Sequence, residues 1–243
     1  MSENNAIVNS VIDIIQSTGD HERKEKQVVN SVSRILSNDS DAKITPNDAQ
    51  RIYTAWADSY DKDHGDKVYF YKTPIRAAKH FAELFIEAER AAVKVLDIAA
   101  GTGAVGLELQ RLGLTDIDAV DANQAMLDVA KSKNVYNRLI CDFLGPNTLD
   151  IKDDAYDGAV ATACFYRTHV HEDCFPELIR VIKPGGLLLM QIRGDALEEM
   201  VGFKEAMKQL ENDQKWTLVK EEYFPNWFSD KAIEGFRVVY RIN

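Results

Sequence analysis

The sequence predicts an α/β fold: a Rossmann-like, mostly parallel sheet with helices on both faces, preceded by an N-terminal helical extension. Three observations carry that expectation. From Val93 onward, short runs of β-branched and aliphatic residues alternate with stretches of helical periodicity. The strand runs are almost continuously apolar, as strands buried on both faces are. A glycine-rich turn, Gly101-Thr102-Gly103-Ala104-Val105-Gly106, follows the first of them. In a doubly wound sheet this is where backbone N–H groups face a ligand.

Residues 1–45 form the extension, set apart from a domain over 46–243. Two similar pieces, Ile7 to Gln16 (IVNSVIDIIQ) and Val28 to Ser37 (VVNSVSRILS), place apolar residues at helical spacing, and Gly19 and Asp20 interrupt them. The expectation is a helical hairpin. Helices shorter than ~12–15 residues are marginal in water, so it must pack on something. Its receptor is either the crevice of the following domain, as a lid, or a second copy, giving a homodimer. The polar stretch Ser37 to Lys43 reads as a hinge. Thr45-Pro46 reads as an N-cap with proline at the first helical position, opening a helix to about Tyr60. A second helix, about Pro74 to Arg90, carries Ala77, Ala78, Phe81, Leu84 and Phe85 on one face. Then come strand VKVLDIA, a helix from about Ala104 to Leu112, strand DIDAVDA, a helix from Gln124 to Ser132, and strands NRLICDF and DGAVATA. A helix around Cys174 to Ile182 leads through a tight Lys183-Pro184-Gly185-Gly186 turn into strand GLLLMQIR, and a helix follows over Leu197 to Leu210. The last runs, WTLVKEEYF and GFRVVYRI, are close enough to pair antiparallel.

Composition narrows the function. The chain has 243 residues, 29 Lys and Arg against 39 Asp and Glu, and a net charge of -10. A nucleic-acid partner needs a basic surplus, and the one basic run, Arg23-Lys24-Glu25-Lys26, is flanked by acids. An anionic membrane surface is disfavoured for the same reason, and no apolar run approaches the ~20 residues of a membrane span. Cys141, Cys164 and Cys174 form no C-x-x-C pair and are odd in number, which argues against a disulfide framework or a zinc site, and no metal is expected. The opening MSENNAIVNS lacks a basic, signal-type leader, so the expected location is cytoplasmic.

Read literally, the glycine turn is the G-x-G-x-x-G of a dinucleotide-binding loop. Asp97, four residues before Gly101, points elsewhere. A carboxylate there repels a pyrophosphate and suits a ligand carrying an ammonium group, as S-adenosylmethionine does. It also suits a residue that caps the loop by accepting backbone N–H bonds. Asp121 ends the second strand, eighteen residues after Gly103, where an acid accepts hydrogen bonds from ribose hydroxyls in either ligand class. Met126 is placed to lie against an adenine face, Asp142 to accept from its amino group, and Phe143 to flank the ring.

These residues carry a resemblance. VLDIAAGTGAVG, AVDANQAML, CDF and IKPGGLLL are similar, in order and spacing, to the successive motifs of class I S-adenosylmethionine-dependent methyltransferases. YTAWADSYDKD, YKTPIRAA and PELIRVIKPGGLL resemble the methyltransferase-like group represented in the Williams–Beuren syndrome region. The resemblance implies a seven-stranded sheet with its last strand antiparallel. It also implies cofactor contacts at Tyr60, Gly101, Gly103, Asp121, Ala122, Met126, Asp142 and Phe143, with Gly106 left as a packing position. Residues 1–45 have no counterpart in that group, and FYRTHVHEDC departs from its pattern where substrate sits.

Methyl transfer is an in-line displacement, for which a protein mainly aligns the nucleophile and excludes water. The acceptor side therefore has to be read from other residues. Tyr69, Phe70 and Tyr71 form an aromatic cluster that either walls the pocket or packs at a helix entry. His169 or His171 is placed to be a general base, or faces solvent. Arg167 and Arg193 either bind a substrate carboxylate or sit in rim ion pairs. Trp227 reaches the pocket or packs locally. The expected function is methyl transfer from S-adenosylmethionine to an oxygen or nitrogen of a small molecule. A protein substrate and a non-catalytic cofactor-binding role are the alternatives.

Overall fold

A computed structural model of the chain describes residues 3–17, 32, 44–64, 72–225 and 234–243. Helices α1 (Glu3–Gln16), α2 (Pro46–Asp63) and α3 (Thr73–Ala82) precede the sheet. Then follow β1 (Lys94–Ile98), α4 (Ala104–Arg111), β2 (Asp116–Asp121), α5 (Gln124–Ser132), β3 (Arg138–Cys141) and β4 (Tyr156–Thr162). The chain ends with α6 (Phe175–Val181), β5 (Ile182–Arg193), α7 (Gly194–Glu199), α8 (Phe203–Asn212), β6 (Trp216–Phe224) and β7 (Gly235–Ile242).

The seven strands form one sheet in the order β3-β2-β1-β4-β5-β7-β6. β1 to β5 run parallel, and β7 pairs antiparallel with both β5 and β6. The expected fold class, with its antiparallel last strand, is the observed one. The order reverses between β1 and β4, and a ligand crevice opens beyond the carboxyl ends of strands at such a point. Side chains alternate across the sheet. β1 sends Leu96 and Ile98 into one apolar layer, with Phe165, Phe175 and Trp216, and Val95 into the other, with Phe81, Val105 and Leu109. Asp97 falls on the Val95 side.

Local boundaries differ from the sequence expectation at three places. The helix expected over 74–90 ends at Ala82, and a 3₁₀ turn, Glu87–Ala92, follows. The Arg90 guanidinium donates to the Ala82 and Leu112 carbonyls across the break. The helix expected over 197–210 is two helices, because Gly202 lies at φ 92°, a left-handed conformation that ends a right-handed helix. β5 begins at Ile182, before the expected turn, with Gly185 at φ 82°.

The Thr45 N-cap forms as expected, and as a full capping box: Thr45 Oγ1 accepts the Asp48 N–H while the Asp48 carboxylate accepts the Thr45 N–H. α1 packs on α2. Val8, Val11 and Ile15 bury against Ile44, Ala49, Ile52 and Trp56, and Arg51 donates to Asn5 and Asn9 at 2.9 and 2.8 Å. Of the second expected N-terminal helix only Val32 is described, buried in the same cluster; the rest, with the expected hinge, lies outside the described residues. α1 contributes no residue to the crevice lining. It backs the helix that does.

Candidate active site

The crevice opens where β1, β2 and β4 end. It is a cleft open to solvent, walled by α2, the turn after β1, the ends of β2 and β3 and the segment after β4. The turn leaving β1 is held in left-handed backbone at Ala99 (φ 51°), Gly101 (φ 55°) and Gly103 (φ 86°). Such backbone in an alanine costs energy and persists where the surroundings impose it. A side chain at Gly101 would meet nothing within 4 Å, so the turn presents bare backbone to the cavity.

Asp121 is the hub. Its Oδ2 accepts the Gly101 N–H and its Oδ1 the Asn123 N–H, both at 2.8 Å. Burial raises the carboxyl above its ordinary value, and the two N–H bonds oppose that. Asn123 caps α5, its Oδ1 accepting the Met126 N–H at 3.2 Å. Its Nδ2 donates to the Gln50 carbonyl, the Gln50 side chain and the Thr54 hydroxyl at 2.9–3.0 Å. The carboxylate at the end of β2 is thereby connected to α2.

α2 covers the crevice with Pro46, Gln50, Tyr53 and Tyr60, residues whose spacing puts them on one helical face. The adjoining side carries Trp56, whose ring packs against both Tyr53 and Tyr60; it is buried against α1 and donates to Asp63 at 2.7 Å. A second tie holds the far end of α2. Thr102 Oγ1 donates to Asp61 at 2.5 Å, and Lys133 donates to both Asp61 and the Thr102 carbonyl at 2.6 Å.

Ala122, Met126, Asp142 and Phe143 line the crevice beside Asp121, and Phe143 is 52% exposed. His169 enters from the segment after β4. Its Nδ1 lies 2.9 Å from Thr168 Oγ1 and its Nε2 2.9 Å from the Tyr53 hydroxyl, with the two rings edge to face. Burial pushes the imidazole down to about 4, so it is neutral at pH 7.

Of the residues singled out from sequence, Tyr60, Gly101, Asp121, Ala122, Met126, Asp142, Phe143 and His169 meet at this crevice. Others do not line it. Asp97 is buried beneath the turn, where its Oδ2 accepts the Tyr136 hydroxyl at 2.6 Å; its place in the β1 alternation turns it from the ligand side. Gly103 lies on the same underside, against Tyr136. Gly106 is buried against the same ring, the packing role expected for it. His171 turns away, its Nε2 2.9 Å from the Arg167 carbonyl, and Arg167 is exposed. Arg193 is buried at the end of β5, over the Tyr166 ring at 5.2 Å and bonded to Asp195. Tyr69, Tyr71 and Trp227 lie outside the described residues. Sequence reading did not single out Gln50, Tyr53, Asn123 or Thr168. Tyr53 was visible in principle, seven residues before Tyr60 on one helical face.

The reversed sheet order, the glycine turn and the strand-end carboxylate are the architecture of class I S-adenosylmethionine-dependent methyltransferases, the family that the chain resembles in fold and in sequence. The methyltransferase domain family matches residues 96–190. Methyltransferase-like protein 27 of Homo sapiens is 30% identical over 165 residues, covering 67% of this chain and 65% of that protein. The ubiquinone/menaquinone biosynthesis C-methyltransferase of Chromobacterium violaceum is 35% identical over 120 residues, 47% of this chain and 48% of the relative. The chain thus spans between about half and just under two thirds of the length of these relatives. The solved TehB-like S-adenosylmethionine-dependent methyltransferase of Corynebacterium glutamicum shares the fold, with a TM-score of 0.57 at 17% identity over 79% of this chain and 98% of that one. No helix among the described residues is long and apolar enough to cross a membrane.

Proposed function

We propose that this chain binds S-adenosylmethionine in the crevice and directs its methyl group to a nucleophilic oxygen or nitrogen of a small molecule. The observation that carries this reading is the charge of the lining. Among the described residues it holds two carboxylates, Asp121 and Asp142, and no lysine or arginine. A pyrophosphate would meet no cation there, whereas a sulfonium and an ammonium meet carboxylates and the Tyr53 and Tyr60 rings. The bare backbone at Gly101 and the ribose-height carboxylate of Asp121 fit the same ligand. When bound, S-adenosylmethionine supplies an already activated methyl group.

The chain's own residues then have separable tasks. Asp121 accepts from the ribose hydroxyls, Asp142 and Phe143 hold the base, and Met126 packs beneath it. Tyr60, from α2, closes the crevice against water. Tyr53 and His169 form the polar wall left for the acceptor. With its Nε2 engaged by Tyr53 and its imidazole neutral, His169 is a weak base, and it takes a proton at Nε2 only when the Tyr53 hydroxyl yields that position. This favours an acceptor whose lone pair is already free, such as a neutral amine or an acidic hydroxyl.

Calorimetric titration with S-adenosylmethionine, S-adenosylhomocysteine and NAD tests the ligand, and transfer of a methyl label into a metabolite extract tests the acceptor. The two sulfur nucleosides should bind and NAD should not, and label should appear in small molecules. NAD binding more tightly would end the reading. Label found in protein or on carbon would replace the acceptor class.

A further inference from the structure

Tyr136, in the segment between α5 and β3, belongs to no motif of the nucleotide loop, yet it contacts that loop at three points. A Cβ at Gly103 would lie 2.9 Å from Tyr136 Cε2. A Cβ at Gly106 would overlap both the ring and the hydroxyl of the same tyrosine. The hydroxyl donates to Asp97 Oδ2 at 2.6 Å. The second and third glycines of the apparent fingerprint are therefore small because an aromatic ring lies beneath them. Only Gly101 faces the cavity with open space.

We propose that Tyr136 is a positioning residue for the cofactor turn: its ring supports the turn from beneath, and its hydroxyl keeps the buried Asp97 carboxylate ionised beside the first turn of α4. This rests on the reading that the crevice binds S-adenosylmethionine. Burial pushes the Asp97 carboxyl up to about 7, and the Tyr136 hydroxyl and the Gly106 N–H pull against that rise. The other titratable groups facing Asp97 are Asp121 from β2 and Cys164 after β4. Asp121 adds to the upward push, and the Cys164 thiol, itself raised by burial, is uncharged. Tyr136 thus supplies the side-chain donor that offsets the cost of burying the charge. An ionised Asp97 attracts the Gly106 N–H, in the first turn of α4, more strongly than a protonated one. It also favours a cationic ligand on the far side of the turn.

Tyr136→Phe keeps the ring and removes the donor. In the unliganded chain, the Asp97 carboxyl carbon followed by carbon-13 NMR should titrate near pH 7 in the wild type. In the variant it should titrate at a pH roughly one unit higher or more. Calorimetric titration with S-adenosylhomocysteine should show roughly tenfold weaker binding by the variant at pH 7.5. The gap should close below about pH 6, where Asp97 is protonated in both. A purely structural ring contact would leave both pH profiles where they are. Identical Asp97 titrations in the two proteins, or equal affinities at every pH, would overturn the proposal. A wild type that binds no S-adenosylhomocysteine would instead sink the proposed function, and the carboxyl titration would still decide what Tyr136 does.

Discussion

At the scale of single residues, Asp121 joins fold and ligand chemistry in one carboxylate. Each of its oxygens already accepts one backbone N–H, and each keeps a lone pair for a ribose hydroxyl. Two charge-assisted bonds at ~1.5 kcal/mol each amount to roughly 3 kcal/mol. Asp121→Ala should therefore weaken S-adenosylhomocysteine about 100-fold, measured by calorimetry, while circular dichroism shows the fold retained. Unchanged affinity would remove Asp121 from the ligand contacts. The buried histidines set an acid limit on stability. His64 and His169 are both pushed from the ordinary 6.5 down to about 4 by burial. Between those values the unfolded histidines hold protons that the folded ones exclude, so their share of stability is full above pH 6.5 and is lost as pH drops toward 4. The raised Asp97 carboxyl acts in the opposite direction, so the difference is the test: as pH drops from 6.5 to 4, the melting temperature of the wild type should lose more, relative to its value at pH 7, than that of His169→Gln. The same change in both proteins would show that His169 takes up its proton equally in the folded and unfolded states.

At the scale of elements, α2 is the piece on which the site turns. One face of it covers the crevice and the adjoining face buries α1, and its two ends are tied to the far side of the crevice by Asn123 and by the Asp61–Thr102–Lys133 cluster. Removing residues 1–44 would leave Ile52 and Trp56, both buried against α1, facing water. Uncovering a side chain of that size costs about 1.5–3 kcal/mol. The truncated chain should melt several degrees lower and bind S-adenosylhomocysteine more weakly, because a loosened α2 no longer presents Tyr53 and Tyr60. Light scattering on both forms tests whether the segment also joins two copies. A truncated chain with the same melting temperature, affinity and mass would make α1 a passive appendage.

At the scale of the whole molecule, the reversal of strand order between β1 and β4 creates the crevice, and the acidic balance of the chain continues into its lining. A ligand that binds only the folded state stabilises it by mass action, by about 2.7 kcal/mol at one hundred times its dissociation constant. Saturating S-adenosylmethionine should raise the melting temperature of the full chain, and NAD at the same concentration should leave it unchanged. The opposite ranking in thermal unfolding would point to a dinucleotide.

The strands, their order of appearance, the glycine turn, Asp121 and the Asp142-Phe143 pair were legible in the sequence because local periodicity and motif spacing encode them directly. Helix ends were less so. The break at Gly202 and the stop at Ala82 depend on a left-handed glycine and on an arginine reaching across the fold, and neither alters apolar periodicity. The proposed acceptor side of the crevice was decided only by tertiary structure. Tyr53 and His169 are 116 residues apart and meet because α2 lies over the carboxyl ends of the strands. Asp97, a ligand candidate by its place in the motif, lies beneath the turn because alternation along β1 points it at Tyr136, 39 residues away. The sequence by itself determined where the glycine turn proposed to cradle the cofactor falls, since that depends on neighbours in the chain. Which side chains face the ligand and which support the turn from behind depends on packing between distant segments, and the folded chain alone decided it.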